Sequence, residues 1–132
     1  MELRLSTQER IEMLDITPKL EELVSSSHLK EGVVLCYVPH TTAGLIINEN
    51  ADPTVVHDIL TTLQRLVPRE QGYAHAEGNS QAHIISSIVG NQVAIPVVNG
   101  KLCLGTWQGV FFVELDGPRQ RRVTVMLIPC RV

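Results

Sequence analysis

The sequence predicts an α+β fold with a largely antiparallel sheet. Strand-like segments outnumber helix-like segments, and most of them are followed closely by another strand-like segment. The 132 residues and 14.6 kDa suit a single domain, residues 1–132, around one core. Apolar residues make up 44% and charged residues 19% of the chain, as in ordinary globular domains.

The first third of the chain predicts a hairpin, a helix and a central strand. Residues 2–16 hold two short alternating runs, LRLS and RIEMLDI, which favour an antiparallel hairpin. TPKLEELVSSS predicts a helix that ends before Gly32, with Thr17 as its N-cap and Pro18 at its first position. GVVLCYV is a continuous apolar run, which predicts a strand in the middle of the sheet.

The middle third predicts a second strand and two more helices. In CYVPHTTAGLIINEN, residues 36–50, a proline, a histidine and two threonines separate two apolar runs, so this stretch forms either a turn or the floor of a site. DPTVVHDILTTLQRLVP predicts an amphipathic helix with Asp52 as its cap. REQGYAHAEGN predicts a loop, and SQAHIISSIV predicts a short helix.

The last third predicts four strands in a meander. QVAIPVV and KLCLGTW flank Asn99-Gly100, the strongest short-range signal for a hairpin. GVFFVEL and RRVTVMLIP flank Asp116-Gly117-Pro118, which predicts a second hairpin.

Charge and cysteine content narrow the function classes. A net charge of −3 and a pI of about 5.9 predict no general attraction to nucleic acid or anionic membranes. No apolar stretch approaches the roughly 18 to 20 residues that span a bilayer, and MELRLSTQER lacks the apolar region of a secretory signal. Cys36, Cys103 and Cys130 are predicted to be buried thiols in a reducing compartment, which favours a cytoplasmic protein.

Three histidines are candidate metal ligands. His40 follows a predicted strand, His75 lies in the loop, and His83 lies in the short helix. Three imidazoles with one open position are typical of a catalytic zinc site. His75 and His83 converge only if the segment between them is not all helical, which Gly78 allows, because eight helical residues span about 12 Å. The alternative is that these histidines are ordinary surface or capping residues.

Polar residues cluster in the same segments. Glu49 or Glu77 would orient a histidine or act as a general base; the alternative is that these side chains only cap helices and close turns. The cluster contains Thr41, Thr42, Asn48, Glu49, Asp58, Glu77 and Asn79.

Two further features have open interpretations. Arg119, Arg121 and Arg122 suit phosphate recognition, or they form a solvated strand face. Trp107, next to Gln108, lines a pocket or anchors the core. Walker and dinucleotide-binding glycine loops are absent from the sequence, so no nucleotide cofactor is expected.

Three segments in order, HTTAGLIINENADP, EGNSQAHIISSIVG and IPVVNGKLCLGTWQGVFFVELDGPR, resemble the YjbQ family over nearly the whole chain. The resemblance implies an α+β fold with a curved, half-barrel-like sheet, two main helices and one short helix, assembled as a homotrimer. It also implies a weak or secondary thiamine-phosphate-synthase-like activity. That reaction joins a hydroxymethylpyrimidine diphosphate to a thiazole phosphate with loss of pyrophosphate.

The resemblance also implies roles for individual residues. His40, His75 and His83 become the expected ligands of a divalent metal, Zn or Mg. Glu49, Asp58 and Glu77 become the expected catalytic carboxylates. Ser80 and Gln81 depart from the family pattern, which often has acidic residues there. The expected substrate-binding residues are Thr41, Thr42, Asn48, Asn79, Trp107, Gln108 and Arg119.

The expected partners are a small phosphorylated metabolite and further copies of the chain, without nucleic acid or membrane. The alternative function is a non-catalytic, trimeric module that binds a metabolite or a metal.

Overall fold

The computed structural model describes residues 1–131, which form eight β-strands and three α-helices. The helices are α1 (Thr17–Ser27), α2 (Pro53–Leu66) and α3 (Ser80–Val89). The strands are β1 (Glu2–Ser6), β2 (Glu12–Asp15), β3 (Gly32–Tyr37), β4 (Ala43–Glu49), β5 (Gln92–Val98), β6 (Lys101–Leu102), β7 (Gln108–Glu114) and β8 (Gln120–Pro129).

The strands form two antiparallel sheets, which confirms the predicted α+β class. One sheet has five strands in the order β1-β8-β3-β5-β6, and the other has three in the order β2-β7-β4. Both contribute to one buried cluster, in which Val34 and Val123 of the first sheet join Leu45 and Phe112 of the second, with Leu20 of α1. Together the curled sheets form the expected half-barrel.

The central position predicted for β3 is confirmed, because β3 pairs with both β5 and β8. Its two faces differ in burial. Val34 and Cys36 point into the core and are fully buried, whereas Val33, Leu35 and Tyr37 alternate with them and stay partly or well exposed. The outward face of the five-stranded sheet is therefore apolar around β3 and the C-terminal half of β8, and residues 1–131 leave this part of it partly exposed.

The three predicted helices are present, with one error at a terminus. Asp52 caps α2 by accepting a hydrogen bond from the Thr54 N–H at 3.0 Å, as predicted. Thr17 is not the N-cap of α1, because Ile16 holds that position and the Thr17 hydroxyl instead accepts from the Val110 N–H at 2.8 Å. Among residues 1–131, no helix has the length and apolar character to cross a membrane.

Two of the three predicted strand pairings are wrong. The hairpin around Asn99-Gly100 is confirmed, with φ values of 52° and 76° that suit these two residue types. β1 and β2 do not pair, since β1 joins β8 and β2 joins β7. β7 and β8 also lie in different sheets, so the predicted four-strand meander does not form. Alternation of apolar residues indicates which face of a strand is buried, but not which strand lies beside it.

Only one of the three cysteines is the buried thiol that the sequence predicts. Cys36 is fully buried in β3, and burial raises the pKa of its thiol to about 11. Cys103 and Cys130 are exposed, because both lie beyond the last residues of their strands.

A buried ion pair joins the two sheets. Arg121 of β8 and Glu114 of β7 have side chains that are 5% and 0% exposed, and Arg121 Nε donates to Glu114 Oε1 at 2.9 Å. Thr7 donates to the same oxygen at 2.7 Å, and Arg121 Nη2 donates to Thr42 Oγ1 at 2.9 Å. Arg121 is therefore not part of a solvated face: like Val123, it points inward on β8.

The environment of Glu114 favours its charged form. Burial, the largest single effect, raises the pKa of this carboxyl group. Hydrogen bonds from Arg121, Thr7 and the Asp116 N–H, together with the charge of Arg121, outweigh burial and hold the pKa below its ordinary value. The pair is therefore charged at neutral pH, and its polar atoms have partners on several segments.

We predict that Glu114→Gln lowers the free energy of unfolding by about 3–5 kcal/mol, because it leaves the Arg121 charge buried without a counter-charge. Urea unfolding at neutral pH measures the change. Glu114→Gln/Arg121→Met should be less destabilised than Glu114→Gln, since the double change removes both charges. A double variant at least as unstable as the single one would contradict this prediction. Glu2→Gln, at a surface pair with Arg4, is the matched control.

The same pair predicts a pH dependence. Because the pKa of Glu114 is lower in the folded chain, the pair stabilises the fold above the ordinary carboxyl pKa of 4.5. That stability is lost as the pH falls through the lower pKa of the folded state. Wild-type protein should lose more stability than Glu114→Gln between neutral pH and the acid range, and parallel curves would exclude this contribution.

Candidate functional site

An open polar pocket of about 390 Å³ lies where the ends of β3 and β8 meet α3 and the β7–β8 connection. Pro39 follows β3 and has no N–H to continue the ladder, so the chain leaves the sheet here. The pocket includes seven of the predicted site residues: His40, Thr41, Thr42, Glu77, Asn79, His83 and Arg119. The stretch after Cys36 therefore forms one wall of a pocket as well as a turn.

The two threonines of this wall differ in exposure. Thr42 is buried, its hydroxyl accepts from Arg121, and its carbonyl accepts from the Leu115 N–H at 3.2 Å. Thr41 is exposed, and its carbonyl accepts a hydrogen bond from the Ser86 hydroxyl at 2.7 Å. Thr42 is thus a fixed part of the framework, whereas the Thr41 hydroxyl faces solvent-accessible space.

His40 is held by the backbone of β8. Its Nε2 accepts a hydrogen bond from the Arg122 N–H at 3.1 Å, so the neutral ring carries its proton on Nδ1. Burial, followed by the charges of Arg121 and Arg122, lowers the pKa of His40. His40 is therefore a neutral hydrogen-bond donor at neutral pH, and its Nε2 is not free to bind a metal.

His75 and His83 lie side by side. Their ring centroids are 5.3 Å apart with the ring planes at 88°, and His75 Nε2 is 3.7 Å from Glu77 Oε2. They meet because α3 begins only at Ser80 and Gly78 turns the chain with φ 79°, as the sequence allows. His75 does not line the pocket.

Two of the three predicted histidine ligands, His75 and His83, lie together in the described structure. Among residues 1–131, no group of three or more His, Cys, Asp and Glu side chains is placed to hold a metal ion. His75 and His83 supply two imidazoles, and the free nitrogen of His40 is already committed to the Arg122 amide. The donor set in one chain therefore does not fit a closed metal centre.

Asp116 organises the far side of the pocket, and the sequence indicated it only as a turn residue. Its carboxylate oxygen Oδ2 accepts from Asn79 Nδ2 at 3.0 Å and from Arg119 Nη2 at 2.9 Å. Arg119 Nε also donates to the Asp116 carbonyl at 2.7 Å. An aspartate before Gly-Pro resembles ordinary turn chemistry, so local pattern alone does not distinguish this role.

Six predicted site residues lie outside the pocket of the same chain: His75, which lies beside His83, and Asn48, Glu49, Asp58, Trp107 and Gln108. Asn48 and Glu49 end β4, about 20 Å along the strand from the threonines at its start. Glu49 pairs in register with Gln108. Asp58 is exposed on α2, and Trp107 is 63% exposed, so Trp107 does not anchor the core. The catalytic and substrate-binding roles expected for these residues remain predictions.

We predict that His40 titrates below 6.5, the ordinary value for histidine, because burial and two arginines disfavour its charged form. The linked stability is present above that ordinary value and is lost as the pH falls through the window between it and the folded-state pKa. NMR titration of the ring Cε1–H measures the pKa, with the chain unfolded in urea as the reference. A folded-state pKa at or above the unfolded one would contradict the lowering that burial and the two arginine charges predict.

Comparisons with known proteins agree on one family. The family model described as UPF0047 protein YjbQ-like matches residues 1–130. A UPF0047 protein of Methanocaldococcus jannaschii is 51% identical over 125 residues, which cover 95% of this chain and 91% of that protein. The UPF0047 protein YugU of Bacillus subtilis is 45% identical, with 96% of each chain covered.

Solved structures extend this agreement to the fold. A YjbQ/UPF0047 family protein of Clostridium acetobutylicum superposes with a TM-score of 0.95 at 47% identity, covering 97% of this chain and 99% of that one. A YbjQ-like protein of unknown function from Sulfolobus solfataricus gives 0.94 at 35% identity, covering 98% and 96%. The match in sequence and in fold spans the whole domain, and the chain belongs to the YjbQ (UPF0047) family.

Proposed function

We propose that the pocket binds a phosphorylated small molecule and that the protein is an enzyme with weak or secondary thiamine-phosphate-synthase-like activity. One observation carries the proposal: a half-exposed arginine, Arg119, shares an open pocket with the hydrogen-bond donors His40 and Thr41. Arginine and hydroxyl donors on a concave surface are well suited to the oxygens of a phosphate.

Arg119 is preorganised for such a ligand. Asp116 accepts from its Nε and Nη2, which fixes the guanidinium plane. Its Nη1 donates no hydrogen bond within residues 1–131, and that N–H group supports binding of a phosphate oxygen. The neutral His40 adds a donor without a full charge, so the pocket stabilises the anion mainly through Arg119, because Glu114 balances the charge of the buried Arg121.

The proposed reaction transfers a pyrimidinylmethyl group. The C–O bond between the methylene carbon and the diphosphate breaks, and a C–N bond forms to the thiazole nitrogen. Pyrophosphate leaves with the electron pair of the broken bond, so negative charge grows on its oxygens. The N–H group that Arg119 leaves open to the pocket favours that departure. Glu77 lies at the exposed rim of the same pocket and is the predicted catalytic carboxylate nearest to this chemistry.

A divalent metal is a separate part of the proposal. His75 and His83 would supply two ligands, and a third would have to come from outside the chain, such as a substrate oxygen or another copy. No step of the proposed group transfer depends on that ion.

The alternative is a non-catalytic, trimeric module that binds a metabolite or a metal. The openness of the pocket favours it, because Thr41 and Glu77 face solvent, whereas transferases commonly exclude water from the reacting bond.

We predict that Arg119→Gln weakens the binding of inorganic phosphate by about tenfold, the effect of losing one charge-assisted hydrogen bond. Phosphate titration followed by NMR measures this effect, and Arg65→Gln on the exposed side of α2 is a control with the same loss of charge. Unchanged binding in Arg119→Gln would reject the proposed pocket.

Pyrophosphate release from the two thiamine precursors then separates the two functions. Slow release by the wild type that Arg119→Gln abolishes would support the enzyme. Saturable binding of the precursors without release would support the module.

We also propose that the chain assembles as a homotrimer. The outward face of the five-stranded sheet includes an apolar patch of a kind that a folded chain rarely leaves in water. Tyr37, Met126 and Ile128 contribute to it, and Met126 is 55% exposed. A second apolar surface lies on the helices, at Leu66 and Ile88. A closed ring of three copies joins two different surfaces at each contact, and this pair of surfaces supports that arrangement.

We predict that Met126→Glu converts the assembly into monomers, because each contact would then bury an unpaired charge. Light scattering after size-exclusion chromatography should give three times the 14.6 kDa of the chain for the wild type and a single chain for the variant. Lys19→Glu, on the exposed side of α1, should stay trimeric. A monomeric wild type would exclude the trimer.

A further inference from the structure

Two arginines lie next to the pocket in a cleft of their own. The residues that matter in this cleft are Arg10, Arg69, Asn79, Gln81 and Asp116. Asn79 and Asp116 line both the cleft and the pocket that holds Arg119, so the two spaces share a common wall.

The position of Arg10 is fixed by a buried side chain. Gln81 is only 3% exposed, and its Nε2 donates to the Val67 carbonyl at 2.8 Å. That contact leaves the Gln81 carbonyl oxygen to accept from Arg10 Nη1 at 3.3 Å. The guanidinium of Arg10 is thus held at the cleft by a residue that cannot move freely, as in a preorganised binding site.

The cleft has an excess of positive charge. Burial, then the nearby charge of Arg69, lowers the pKa of Arg10, and Asp116 offsets this only in part. Within residues 1–131, neither Arg10 nor Arg69 forms an ion pair within 4.0 Å. The one shared carboxylate, Asp116, is already paired with Arg119. Two nearby guanidinium groups that share one carboxylate with Arg119 have a net positive charge, which favours binding of an anion.

A polar atom in the same wall also lacks a partner. Asn79 Oδ1 is buried and has no hydrogen-bond donor within the described structure, while Nδ2 of the same amide is held by Asp116. A bridging water could donate to this oxygen and to an anion nearby, while the charged oxygens of the anion accept from arginine. The enclosed part of the cleft, about 20 Å³, has room for one water. The anion would therefore sit at the mouth, against the exposed Arg69.

We propose that Arg10 and Arg69 form a second oxyanion subsite, so that the cleft and the pocket together bind a metabolite with two anionic groups. This inference rests on the proposed function, because the first anionic group occupies the pocket at Arg119. It adds a selectivity that the pocket alone lacks: a ligand with two anionic groups is favoured over one with a single group.

Chemical-shift mapping with inorganic phosphate tests the subsite. Phosphate should shift two separate sets of backbone amides in the wild type, one at Thr41 and Thr42 and one at Gly78 and Ala82. Arg10→Gln/Arg69→Gln should lose the response at Gly78 and Ala82 and keep the response at Thr41 and Thr42. Arg119→Gln should show the opposite pattern, and Arg65→Gln should keep both responses.

The outcomes distinguish the subsite at Arg10 and Arg69 from the pocket at Arg119. If the double variant keeps the response at Gly78 and Ala82, the subsite is wrong and the proposed pocket stands. If Arg119→Gln keeps the response at Thr41 and Thr42, the pocket is wrong. Arg69→Gln alone, at an exposed side chain, should weaken the Gly78 response even if the loss of Arg10 disturbs α3. A wild type that responds at neither set overturns both proposals.

Discussion

The arrangement of the pocket depends on the buried pair between Glu114 and Arg121. The pair connects β7 of one sheet to β8 of the other. It also forms hydrogen bonds with Thr7 and Thr42, which lie on two further segments. Glu114 Oε2 also accepts from the backbone N–H groups of Leu115 and Asp116, at 3.0 and 3.1 Å. A single carboxylate therefore sets the direction in which the chain leaves β7 and the position from which Asp116 reaches the pocket.

Burying two charges costs free energy unless their polar atoms are satisfied, so hydrophobic side chains of equal volume would hold the sheets together as well or better. An apolar pair, however, could not hold the Thr42 hydroxyl or the Asp116 N–H. Asp116 in turn positions Asn79 and Arg119. The pair is thus better understood as the support of a polar pocket than as a source of stability, and pocket residues on separate segments are coupled through it.

Local pattern predicted the elements well because each depends on nearby residues: the apolar run of β3, the cap at Asp52, the start of α3 and the turn at Asn99-Gly100. Strand partners depend on contacts far along the chain, and periodicity carries no information about them. Alternation did contain the signal for burial of Arg121, since it shares the inward face of β8 with Val123 and Val125. Because a charged arginine side chain is usually exposed, alternation alone did not predict that Arg121 is buried. The role of Asp116 has no local signature, because its partners Asn79 and Arg119 meet only in the folded chain.

β8 connects the proposed assembly to the proposed site. Its inward side chain Arg121 supports Thr42, its backbone at Arg122 fixes the tautomer of His40, and its outward side chains Met126 and Ile128 contribute to the uncovered sheet face. A neighbouring copy that covers this face would restrain the same strand that holds the pocket wall. In the assembly, the strand would lose less conformational entropy when a ligand binds. Assembly would therefore favour ligand binding. In the proposed trimer, the pocket would therefore be better ordered for an anion than in a single chain.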